Sequence, residues 1–188
     1  MTMSGRHLLL AACLVALAEL GFLSWVIAGR AAILREGQEV VLKVEPIDPR
    51  DLLRGDYVRL GYEIGQVPVE LAENAPQGEF VTDEGPVFVR LGRDADGVWR
   101  ARAASLMRPS GTPPASGEVD IRGHLAGGRT AGHDTDLTVQ YGIDRYYLPE
   151  GEVRERSFAV VVAVGSDGTP LIKALMDGDK VLFEEPLY

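Results

Sequence analysis

Cysteine is nearly missing from this chain. Cys13 is the only one in 188 residues, so no intrachain disulfide can form and cysteine usage does not fix a redox compartment. Lysine occurs only at Lys43, Lys173 and Lys180, and histidine only at His7, His124 and His133. His124 and the stretch His133-Asp134-Thr135-Asp136 offer ligand-type side chains without a closed ligand spacing, so no metal site is expected. Bases are short as a class: 19 against 28 acids give a net charge of -9, and residues 37–188 hold 26 acids and 16 bases. Such a domain lacks the clustered Lys and Arg that neutralise phosphates, and no nucleic-acid partner is expected. The glycines between Gly123 and Gly132 are not followed by the Lys-Ser/Thr pair of a phosphate-binding loop, and no dinucleotide fingerprint occurs. No cofactor is expected. Internal repeats and low-complexity linkers are missing too.

What the chain has in quantity is hydrophobic sequence, 46% of its residues. Leu8 to Ala28 is a 21-residue, almost wholly apolar run. A bilayer core of about 30 Å takes roughly 20 residues at about 1.5 Å each, so the run is long enough to span it. Arg6 precedes the run, Arg30 and Arg35 follow it, and Trp25 sits near its end, where interfacial aromatics concentrate. A retained single-pass anchor is the preferred reading. A cleaved signal peptide is the rival, because Val26-Ile27-Ala28 would serve as a small-residue cleavage site. The run is long, however, for a signal core of roughly 7–15 residues. Leu10-Ala11-Ala12-Cys13 looks like a lipoprotein acylation site, but too little apolar sequence precedes Cys13.

Glu19 lies in the middle of the run. An ionised side chain at the membrane centre costs several kcal/mol. Two readings stay open: Glu19 pairs with a polar group on a partner helix, or it is protonated and carried by an otherwise very apolar helix. The flanking arginines do not set the orientation. The domain is expected outside the cytoplasm, because a cleavable-looking N-terminus leads into it.

Residues 1–36 thus form an anchor with its flanks, and residues 37–188 one β-rich domain. Strands are expected at 38–45, 56–64, 86–92, 98–107, 119–126, 137–143, 158–164, 171–175 and 181–184, from period-two alternation or β-branched runs. Asp94-Ala95-Asp96-Gly97 makes the surest hairpin. Phe158 to Val164 reads as a central strand, Val67 to Phe80 as irregular, and 149–156 as the one place for a short helix. About nine strands with closely spaced turns predict an antiparallel sandwich or partly closed barrel.

The most distinctive segment is 44–64. Asp48, Asp51, Asp56 and Glu63 alternate there with Arg50, Arg54 and Arg59, and Asp144 and Glu150 form a second acidic set beside Arg145. Paired carboxylates serve acid–base chemistry when their environments differ. Alternating signs read more simply as a lattice in which Arg forks hold carboxylates and fix a loop. Arg54-Gly55-Asp56 abuts a strand and is not read as an adhesion tripeptide. An anchor before an all-β domain is also the layout of signal-peptidase-like proteases, but their Ser-Met-x-Pro nucleophile motif does not occur.

Gly55-Asp56-Tyr57-Val58-Arg59-Leu60-Gly61-Tyr62 spells the Gly-Asp-Tyr-x-x-Leu-x-Tyr pattern in full, and the chain resembles the bacterial GDYXXLXY protein family. The block Tyr141-Gly142-Ile143-Asp144-Arg145-Tyr146-Tyr147-Leu148-Pro149-Glu150-Gly151 is similar to that family's C-terminal segment, with Asp144 where Glu would be expected. The resemblance implies a bacterial membrane-anchored protein with no assigned reaction, often found beside multi-pass membrane proteins. The candidate residues are Asp48, Arg50, Arg54, Gly55, Asp56, Tyr57, Leu60, Tyr62, Tyr141, Asp144, Tyr147, Pro149, Glu150 and Gly151, as a binding or structural motif, with Glu19 in the membrane. None is assigned a catalytic role. Tyr57 and Tyr62 have opposite parity and fall on opposite strand faces. The two blocks are expected to meet in space, with Arg54 or Arg50 bridging to Asp144 or Glu150.

The function expected is a non-catalytic accessory or binding module of the bacterial inner membrane, with a periplasmic or extracellular domain and a multi-pass membrane protein as partner. The rivals are an envelope hydrolase using the Asp/Glu/Tyr/Arg cluster and a purely structural domain.

Overall fold

The apolar run and the residues after it form one helix, α1 (Gly5–Glu36). The computed structural model describes residues 5–45, 58–75, 80–82, 84–126, 128–130, 136–146, 159–178 and 180–186. Mean hydropathy reaches 2.2 over an 18-residue window of α1, and none of that window is buried by the rest of the chain. At about 1.5 Å per residue the helix is about 48 Å long, well beyond the roughly 30 Å of a bilayer core. It is long and apolar enough to cross a membrane, as an anchor or as a signal sequence.

The strands are β1 (Gln38–Glu45), β2 (Val58–Arg59), β3 (Gly61–Tyr62), β4 (Gln66–Pro68), β5 (Phe80–Thr82), β6 (Gly85–Arg93) and β7 (Trp99–Leu106), followed by β8 (Glu118–Leu125), β9 (Gly128–Thr130), β10 (Asp136–Gln140), β11 (Arg145–Tyr146), β12 (Ala159–Val164), β13 (Pro170–Asp177) and β14 (Lys180–Glu184). Among the described residues they build two five-stranded antiparallel sheets, ordered β14-β13-β12-β1-β3 and β4-β10-β8-β6-β7. Among the described residues neither sheet closes on itself, so the architecture is open and mainly β rather than a closed barrel. Two small ladders, β2 with β11 and β5 with β9, complete it.

The sheets share one core. Val40, Leu42, Val160 and Val162 come from the first, and Val87, Val89, Ile121 and Leu125 from the second. Alternation does the sorting: in β8, Val119, Ile121, Gly123 and Leu125 are buried while the residues between them are not. β6 and β7 form the expected hairpin, with Gly97 at φ 82 in its turn. Asp94 and Asp96 hold Arg100, and Asp94 also pairs with Arg102. Through Arg100, Asp96 is held at a pKa of about 2. β12 lies between β1 and β13, as its β-branched run foretold.

The junction of α1 with β1 is one residue long. Gly37 donates its N–H to the Ile33 carbonyl at 2.8 Å, and Gln38 is already paired with Val164. A Cβ on Gly37 would lie 2.5 Å from the Ile33 carbonyl oxygen and 3.0 Å from that of Val164. Glycine is what allows helix and sheet to approach so closely. The last turns of α1 then rest on β12 and β13, with Ala31, Ile33 and Leu34 half-buried.

Candidate functional site

The expected strand 56–64 is two short strands with a break. Leu60 lies between β2 and β3, buried, and gives its N–H to the Asp144 carbonyl at 2.8 Å. Beyond Tyr62 the chain turns into a short 3-10 segment, Glu63–Gly65. Leu60, Tyr62 and Ile64 all point into the core, as their shared parity required.

The two sequence blocks meet. β2 pairs with β11, placing Val58 opposite Tyr146 and Arg59 opposite Arg145. The Tyr62 hydroxyl donates to the Ile143 carbonyl at 2.8 Å, and the Tyr141 hydroxyl donates to the Ile64 carbonyl at 2.8 Å. Each block therefore sends a buried phenol to a main-chain acceptor in the other. Burial pushes both phenols far above the ordinary tyrosine range, and the nearby Asp144 carboxylate adds to the effect at Tyr62. Both rings stay protonated donors at any physiological pH.

Sequence reasoning missed Gly123, which makes room for this brace. A Cβ there would sit 2.5 Å from Cγ1 of Val139 and 3.0 Å from Cδ1 of Tyr141. The signal existed: Gly123 takes an inward slot of β8 that its neighbours fill with Val, Ile and Leu, and a strand glycine often marks a close approach. Asp144 is half-buried. Asp48, Arg50, Arg54, Gly55, Asp56, Tyr57, Tyr147, Pro149, Glu150 and Gly151 lie outside the described residues, and with them the expected Arg-to-carboxylate bridges. Glu19 is exposed on α1. No group of ligand-type residues among the described ones is arranged to hold a metal.

Two grooves flank the C-terminal end of α1, of about 770 and 790 Å³. The first is rimmed by acids, among them Glu36, Glu39, Asp120 and Asp167. Glu39 is paired with Lys173 at 2.5 Å and Asp120 with Arg90 at 2.8 Å, so part of that charge is already met. The second is largely apolar and is floored by Tyr141, Gly142 and Ile143 of the brace.

The family model for the GDYXXLXY protein matches residues 19–175. The chain belongs to this family. The GDYXXLXY match begins at Glu19, inside α1, and ends in β13, so it takes in the end of the helix, the junction at Gly37 and both halves of the brace. No curated protein and no solved structure matches the chain.

Proposed function

We propose that this GDYXXLXY protein is a membrane-anchored, non-catalytic accessory module of the bacterial envelope, held in the inner membrane with its β-domain outside the cytoplasm. In this reading it recognises another membrane protein through its span. The observation that carries it is the junction: an exposed apolar helix with one intramembrane acid enters an inner sheet strand through Gly37 alone. A flexible tether would leave the domain free to tumble; this joint makes span and domain one piece. Glu19 gives the span a polar group that is satisfied by a partner helix at the lowest cost.

The described part of the motif supports a scaffold role. Tyr62 and Tyr141 spend their hydroxyls on main-chain carbonyls and stay protonated, so neither is offered as a base or nucleophile. The test is purification of the full chain in mild detergent beside Glu19→Leu. A multi-pass protein should accompany the wild type and fall away, by about tenfold, when the acid's hydrogen bond is removed. Equal recovery from both forms, or none from either, would sink the reading.

A further inference from the structure

The apolar groove sits at a particular height. Its helix wall carries Ile27, inside the apolar run, then Arg30 and Leu34. Leu34 lies seven positions beyond Ile27, a rise of about 10 Å. The interfacial layer of a bilayer is roughly 5–8 Å deep on each side. If the run spans as proposed above, the groove begins at the hydrocarbon boundary and crosses the headgroup layer. Its opposite wall is apolar, with Ile143, Leu171 and Ile172. Its volume, about 790 Å³, is that of a small-molecule site.

Two charges line this apolar slot, Arg30 and Glu185. Neither side chain has a hydrogen-bond or ion-pair partner among the described residues. An Arg fork matches a phosphate, and a carboxylate matches an ammonium. We propose that this groove binds one glycerophospholipid of the surrounding leaflet, with Arg30 on its phosphate, Glu185 on a primary ammonium of the headgroup, and an acyl chain along Ile27 and the apolar wall. The lipid then ties the brace, through Ile143, to the membrane surface. Continuity with the span decides for lipid: the groove's helix wall starts at Ile27, inside the apolar run, so the bilayer is the medium that this wall meets.

The proposal rests on the anchoring reading, and the test separates the two. Membranes holding the full chain are first washed with alkali. A chain that is stripped off overturns anchoring and lipid site together. The retained chain is purified in detergent and washed exhaustively, and its phospholipid is extracted and counted against protein. Retention of one phospholipid per chain is expected. The delipidated chain should prefer an ethanolamine-headgroup phospholipid to a glycerol-headgroup one, and Arg30→Gln and Glu185→Gln should each weaken binding by about tenfold with unchanged melting. A photo-cross-linking residue at Leu34 should give an adduct of phospholipid mass. A membrane-retained chain that keeps no phospholipid, variants that bind as well as the wild type, or a preference for the glycerol headgroup would each overturn the proposal alone. So would a protein adduct at Leu34, which would give the groove to a partner's helix.

Discussion

Tyr62 and Tyr141 show what a single side chain does here. Each phenol satisfies one buried carbonyl, and each acceptor, Ile143 or Ile64, lies two residues beyond the opposite donor. Tyr62→Phe keeps the ring in the core but strands the Ile143 carbonyl, a loss of about 1–3 kcal/mol. Denaturant melts of the wild type, Tyr62→Phe, Tyr141→Phe and the double variant should show each single loss, and a coupling term between them if the brace acts as a unit. The raised phenol pKa values also set an alkaline limit. In the unfolded chain these tyrosines ionise near pH 10, while in the fold they stay protonated, so above pH about 10 the native state binds more protons and stability falls as pH rises. A spectrophotometric titration should find at least two of the six tyrosines, Tyr62 and Tyr141, silent until the chain unfolds. Titration of all six in the folded state would contradict the burial.

At the scale of elements, Gly37 is the critical position. A side chain there must displace the Ile33 carbonyl or the Val164 main chain. Gly37→Val is expected to cost about 1–3 kcal/mol and to loosen α1 from β12. Limited trypsin digestion reads it directly: cleavage after Arg35 should be slow in the wild type and fast in the variant. The sequence carried the long elements well. Eight of the nine expected strands are present as single strands of five to nine residues, because strands of that length leave a period-two or β-branched trace. The splitting at Leu60 and the two- and three-residue strands β4, β5, β9 and β11 left none. Such short pairings come from contacts with distant chain, not from a local pattern. Val67 to Phe80 looked irregular on account of Pro68, Pro76 and Gly78, and it contains most of β4 and the 3-10 segment Val69–Leu71. The proximity of the two motif blocks was legible from their composition. The means, a crossed pair of buried phenols with room made by Gly123, was not, because hydroxyl-to-carbonyl bonds across 81 and 77 residues leave no local trace.

For the whole molecule, the one-residue joint at Gly37 makes helix and sandwich one mechanical unit. The end of α1 packs on the first sheet, where Ala31, Ile33 and Leu34 are half-buried against β12 and β13. The most direct test is the intact mass of the chain isolated from bacterial membranes after an alkaline wash. A mass that includes residues 8–28, in the membrane fraction, is expected of a retained anchor. A chain that begins at residue 29 and is recovered in the soluble fraction would contradict it, and would leave Glu19 with no part in the mature protein.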